Sequence, residues 1–137
     1  MSVLFLCTGN SCRSQMAEGL LRHLSGGTVA AYSAGTHPKP VHPLAVRVMH
    51  EIGIDISRQV SKSPDQFIGR PFDAVITVCD RAKEACPTFH GAAQRLHWSF
   101  EDPAEATGSE DDRLTVFRKV RDELARRVEA FLGRSSR

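Results

Sequence analysis

The feature that most constrains this chain is an apolar run, Val3-Leu4-Phe5-Leu6, that passes directly into Cys7-Thr8-Gly9-Asn10-Ser11-Cys12-Arg13-Ser14 and then into a helical pattern. An unbroken apolar run this short reads as a strand buried on both faces, as in parallel sheets. A loop that leaves such a strand and opens a helix turns backbone N–H groups toward one point, and the helix N-terminus adds its own. Gly9 and Asn10 are residue types that accept left-handed turns. Arg13 adds a planar, permanently charged fork for two oxygens of an anion. Cys7 lies in that positive field, which favours the thiolate. The spacing of cysteine and arginine recurs by chance in many chains, where it marks only a buried thiol and a surface cation. Its position between strand and helix gives it meaning here: a nucleophile held against a bound oxyanion.

The rest of the chain alternates in the same way. A helix is predicted over residues 14–24, with Met16, Ala17, Leu20, Leu21 and Leu24 on one stripe. Residues 29–35 read as a second strand, followed by a proline-rich loop at 36–40. Leu44, Ala45, Val48, Met49 and Ile52 form a second helical face, with Pro43 near its start and Gly53 as its stop. A short helix from Ser63-Pro64 covers residues 66–68. The β-branched run at 74–78 is a central strand, and residues 96–100 a shorter one. The last helix spans 109–132, with Phe117, Val120, Leu124, Val128 and Phe131 inward. This order predicts an α/β three-layer sandwich: a central, mainly four-stranded parallel sheet with helices on both faces. Ligands bind beyond the carboxyl ends of such strands. Cys7, Cys79 and Asp102 each follow a predicted strand at that end.

A length of 137 residues makes a single domain over 1–137, and a net charge of +2 gives no field for nucleic acid. The basic residues of Arg118-Lys119-Val120-Arg121-Asp122-Glu123 alternate with acids, as on a solvated helix face. No stretch reads as a signal peptide or a membrane span, so a cytoplasmic chain is expected, and a monomer. The four cysteines are then expected to be mostly reduced and used for chemistry or metal rather than structure. Neither Cys7/Cys12 nor Cys79/Cys86 has zinc-finger spacing with a matching histidine pair, so no structural metal is expected. The histidines are scattered and expected to be solvated, except that His97-Trp98 precedes Asp102 and positions its loop.

The whole chain resembles the low-molecular-weight tyrosine phosphatase superfamily, and more narrowly the thioredoxin-coupled arsenate reductases built on that fold. The resemblance rests on residues 3–18, on Ser33-Ala34-Gly35, on Ile76-Thr77-Val78-Cys79 and on His97-Trp98-Ser99-Phe100-Glu101-Asp102-Pro103. Cys79 together with Cys86 points to the reductase branch. By that resemblance, Cys7 is the nucleophile, and Thr8, Gly9, Asn10, Ser11, Cys12, Arg13 and Ser14 form the substrate loop. Arg13 clamps the oxyanion, Asn10 holds the loop, and Ser14 donates a hydrogen bond to the Cys7 thiolate. Asp102 is the general acid, and Cys79 and Cys86 are the redox pair. No cofactor is bound, and reducing equivalents come from thioredoxin. Glu18 and Ser33 match positions that help bind potassium in some relatives, but Lys62 can supply that charge itself.

Disulfide formation requires Cα atoms within about 7 Å. Seven residues of helix would hold Cys79 and Cys86 about 10 Å apart, so the segment between them is expected to unwind on oxidation. Cys12 is expected to pack under the loop. Two other functions stay open at this point. A tyrosine phosphatase would use the same Cys7, Arg13 and Asp102, but Ala104-Glu105 stands where family phosphatases carry aromatics. A non-enzymatic redox-sensing module would need no general acid.

Overall fold

Val3, Leu4, Phe5 and Leu6 are all fully buried, and their alternation divides the core in two. Val3 and Phe5 belong to one apolar cluster, Leu4 and Leu6 to another on the opposite face, as the two-residue period of a strand requires. The computed structural model describes residues 1–84, 89 and 92–133. Its strands are β1 (Ser2–Cys7), β2 (Ala30–Gly35), β3 (Phe72–Thr77) and β4 (Ala92–His97). They form one parallel sheet in the order β2-β1-β3-β4. The predicted four-stranded parallel sheet is therefore present, with β1 in its interior.

The helices are α1 (Arg13–Leu24), α2 (Pro43–His50) and α3 (Glu110–Phe131). Met16, Ala17, Leu20 and Leu21 bury the apolar stripe of α1 against the Val3/Phe5 face. Each large side chain so buried contributes about 1.5–3 kcal/mol. Phe117, Val120, Leu124 and Val128 do the same for α3, which starts on a capping box between Ser109 and Asp112. The opposite face is a thinner layer than the alternation suggests. Phe67, from a 3₁₀ turn at Pro64–Phe67, covers Leu4 and Leu6 together with Phe72 and Phe89. Tyr32 packs edge-on to Phe72, with the Arg70 guanidinium 4.8 Å above its ring.

Two expectations need correction. Ile52 does not join the buried face of α2: it is 42% exposed. The helix ends at His50, Gly53 takes a left-handed φ of 80°, and the turn delivers Ile54 to the core instead. The last strand is Ala92–His97 rather than 96–100. It is an edge strand with exposed Gln94 and Arg95, so it lacks the apolar run that marks a central one. Trp98 and Phe100 are buried beyond its end, Trp98 between the rings of Phe5 and Phe131. Among the described residues no helix is long and apolar enough to cross a membrane.

Candidate active site

Cys7 ends β1 in the interior of the sheet, and α1 begins six residues later. The connecting loop is pinned from outside. The carbonyls of Thr8, Gly9 and Ser11 accept hydrogen bonds from the N–H groups of His37, Lys39 and His42. That of Asn10 accepts from Gln15 Nε2 and Ser61 Oγ. A trans peptide points its N–H opposite to its C=O, so carbonyls held outward aim the loop amides inward. Asn10 takes the left-handed conformation, φ 46°, whereas Gly9 does not. Asn10 Oδ1 accepts from Gln15 Nε2 and from the Lys62 N–H, so a side chain at 0% exposure ties the loop to a distant segment. Gly35, at the end of β2, makes this approach possible. A Cβ there would stand 2.6 Å from the Asn10 nitrogen and 2.7 Å from the Thr8 oxygen.

Inside the loop, Ser14 Oγ lies 2.8 Å from Cys7 Sγ. Asn10 Nδ2 donates to the same Ser14 oxygen, and the hydroxyl hydrogen is free to turn to the sulfur. The Asn10 N–H also points at Cys7 Sγ, at 3.2 Å. Ser14 Oγ and the Asn10 N–H thus converge on one buried sulfur. The N-terminus of α1 has no side-chain cap. Those of α2 and α3 are capped by His42 and Ser109. An uncapped, inward-facing helix start is where an oxyanion binds.

Arg13 is 3% exposed. Its Nη1 donates to the Phe100 carbonyl, its Nη2 lies 3.7 Å from Asp102 Oδ2, and its Nε has no partner among the described residues. Burial alone would pull its pKa down, but its bond to Glu84 and the charges of Asp102 and Cys7 outweigh this and leave it raised. Asp102 caps the 3₁₀ turn Pro103–Glu105 through Oδ1, which fixes its carboxyl at the rim. Thr77 Oγ1 meets His97 Nδ1, and the Trp98 N–H donates to the Thr77 carbonyl, so the path from β4 to Asp102 is fixed at its start.

Cys7, Asn10, Arg13, Ser14 and Asp102 therefore meet at one rim. Cys79 stands two residues past β3, fully buried, where the Val78 N–H bonds the Leu6 carbonyl beside Cys7. It is disulfide-bonded, while Cys7 and Cys12 are free thiols. Cys86 lies outside the described residues. Cys12 joins the apolar core; burial first, then the Asp102 charge, pushes its thiol up to about 12, so it packs rather than reacts. Lys62 Nζ donates to the Val60 carbonyl and lies 3.7 Å from Glu18 Oε1. Ser33 donates to that same oxygen, so the ammonium and the Ser33 hydroxyl share one buried carboxylate oxygen. His42 is not simply solvated: its ring caps α2 and packs, tilted, against Phe117, and burial, with Arg113 nearby, lowers its pKa.

The sequence reading missed Glu84. Its carboxylate binds both Arg13 Nη atoms, at 2.6 and 2.7 Å. It also accepts from Thr8 Oγ1 and the Asp80 N–H. These bonds, Arg13's foremost, hold its pKa below the ordinary value. Residues 80–84 form a turn rather than a helix, with the Glu84 N–H on the Asp80 carbonyl. A cavity of about 530 Å³ opens beside the loop, lined in part by Thr8, Ser11, His37, Lys39 and Asp102, with no Phe, Tyr or Trp among the described residues.

A parallel α/β sheet with a cysteine and an arginine around an oxyanion loop, between first strand and first helix, defines a class of thiol enzymes acting on tetrahedral oxyanions. Over residues 2–136 the chain matches the family described as low molecular weight phosphotyrosine protein phosphatase, and it belongs to that family. It is 47% identical to an arsenate reductase of Halalkalibacterium halodurans, over 94% of this chain and 93% of that protein. Among solved structures it is similar to an arsenate reductase in the phosphate binding state, with a TM-score of 0.83, 38% identity and 98% of each chain covered. It is also similar to a thioredoxin-dependent arsenate reductase of Corynebacterium glutamicum, with a TM-score of 0.69 and 29% identity, over 96% of this chain and 60% of that one.

Proposed function

We propose that this chain is an arsenate reductase that works through a three-cysteine relay drained by thioredoxin. The observation that carries the reading is the Cys7 sulfur held by Ser14 Oγ and the Asn10 N–H inside an anion loop, in a chain 47% identical to an arsenate reductase. Arsenate sits in the loop with its oxygens on the inward amides and on Arg13. The Cys7 thiolate attacks arsenic, and the departing oxygen takes a proton from Asp102 and leaves as water. Ser14 Oγ holds the sulfur in place for attack. Asn10 keeps the amides aimed.

A thiol–arsenate adduct remains. The Cys79 thiolate attacks the Cys7 sulfur, the sulfur–arsenic bond breaks, and its electron pair stays on arsenic. Arsenic(V) becomes arsenite, and Cys7 and Cys79 become a disulfide. The Cys86 thiolate then attacks Cys79 and frees Cys7. Thioredoxin reduces the Cys79–Cys86 disulfide. A disulfide on Cys79 beside a free Cys7 is the distribution this last intramolecular step leaves behind. The cavity beside the loop, lined by no large aromatic among the described residues, favours a small inorganic anion over a phenol ester.

The test is Cys86→Ser, reduced and given arsenate with excess thioredoxin and thioredoxin reductase. The relay predicts about one arsenite per chain and a Cys7–Cys79 disulfide in the peptide map. Sustained turnover by this variant would contradict it.

A further inference from the structure

Arg13 offers its fork to one ligand at a time, and in this structure the fork is taken. Glu84 Oε2 and Oε1 accept from Nη1 and Nη2 at 2.6 and 2.7 Å, the paired geometry in which guanidinium binds a carboxylate or a phosphate. Thr8 Oγ1, on the same loop, donates to Glu84 as well. The Glu84 side chain is 14% exposed and Arg13 3%, so the pair is not a surface ion pair. Arg13 Nε stays without a partner among the described residues, a buried donor that a carboxylate on the Nη edge does not reach. Glu84 follows Cys79 by five residues, and its Oε2 also caps the turn through the Asp80 N–H. The residue that fills the anion fork thus belongs to the segment carrying the redox cysteine, and Cys79 is disulfide-bonded in this state.

We propose that Glu84 is an internal ligand of the oxyanion loop, seated on Arg13 when Cys79 is oxidised and withdrawn when it is reduced. The proposal rests on the reading of the Cys7 loop as the oxyanion site. A tetrahedral oxyanion that engages Arg13 bidentately must displace the Glu84 carboxylate, and two anions cannot share one buried fork without strong repulsion. The oxidised chain therefore rejects oxyanions it cannot process, inorganic phosphate included, until its disulfide is reduced. Only the fraction of molecules with Glu84 away binds, so apparent affinity falls by that fraction.

The experiment is calorimetric titration of inorganic phosphate, a non-reducible probe, into the oxidised and the reduced protein. The chains are the natural one, Glu84→Gln and Glu84→Ala. The proposal expects oxidised natural protein to bind phosphate about tenfold or more weakly than reduced protein, a difference of about 1.4 kcal/mol. Both variants should recover most of that loss when oxidised and stay within about twofold of the natural chain when reduced. Equal phosphate affinity of the oxidised natural chain and both variants would overturn the proposal and leave the site reading standing. No phosphate binding by any chain in either state would remove the oxyanion site, and the proposal with it.

Discussion

Two stretches leave the same edge of the sheet, and each starts from a cysteine. The loop after β1 is held from every side: its carbonyls by His37, Lys39 and His42, and its Asn10 by Gln15, Ser61 and Lys62. The segment after β3 is a turn at 80–84, tied to the loop mainly through Glu84. The first has its amides aimed by protein contacts alone, so only the Glu84 carboxylate on Arg13 has to move for an oxyanion to bind. In the proposed relay the second presents a sulfur to Cys7 and then carries a disulfide away. On that reading one stretch is pre-organised and the other travels, and among the described residues Glu84, bound to Arg13 and Thr8, joins them.

Four substitutions probe that division, from the largest effect to the smallest. Cys7→Ser removes the nucleophile and should abolish arsenate-dependent turnover while phosphate still binds; a variant with measurable turnover would take the chemistry off the fixed loop. Asp102→Ala should slow adduct formation by about 10²-fold or more, the scale of a lost general acid. Rapid-quench measurement of enzyme-bound arsenic reads that step, and an unchanged rate would make Asp102 only a partner of Arg13. Gly35→Ala should cost about 1–3 kcal/mol in urea unfolding, because its Cβ meets two backbone atoms of the loop that cannot yield cheaply. It should also weaken phosphate binding, whereas a loop able to absorb the methyl group would contradict the claim of a rigid cradle.

Glu51→Gln lies outside both stretches and should leave turnover unchanged. Arg118, then Arg121, hold the Glu51 carboxyl down to about 2. A carboxyl whose folded value is depressed adds stability that is full above its ordinary value near 4.5 and fades as pH falls toward 2. The variant should lose about 1 kcal/mol or less at pH 7, since the group is partly solvated. That gap should shrink below pH 4.5 and close as pH falls through about 2 in the same unfolding measurement. A gap of constant size would deny the ion pair its role.

The fold was largely legible because its signals are local. An apolar run at 3–6 and stripes at 3.6 spacing each act within a few residues. The loop motif also lay in sequence, down to Ser14 beside the sulfur. Glu84 was not legible, since nothing in Asp80-Arg81-Ala82-Lys83-Glu84 singles out one acid as the partner of an arginine 71 positions away. Gly35 was visible as a glycine at a strand end, but its close approach to Asn10 exists only once β2 pairs with β1. Ile52 misled because its spacing fits a helix that Gly53 ends before it turns inward.

The most direct test of the account is NADPH consumption by the reduced protein with thioredoxin and thioredoxin reductase, with and without arsenate. The account predicts sustained consumption that requires arsenate and stops with Cys7→Ser. Arsenate-independent or absent consumption, together with steady hydrolysis of an aryl phosphate, would contradict it and make the oxyanion loop a phosphatase site.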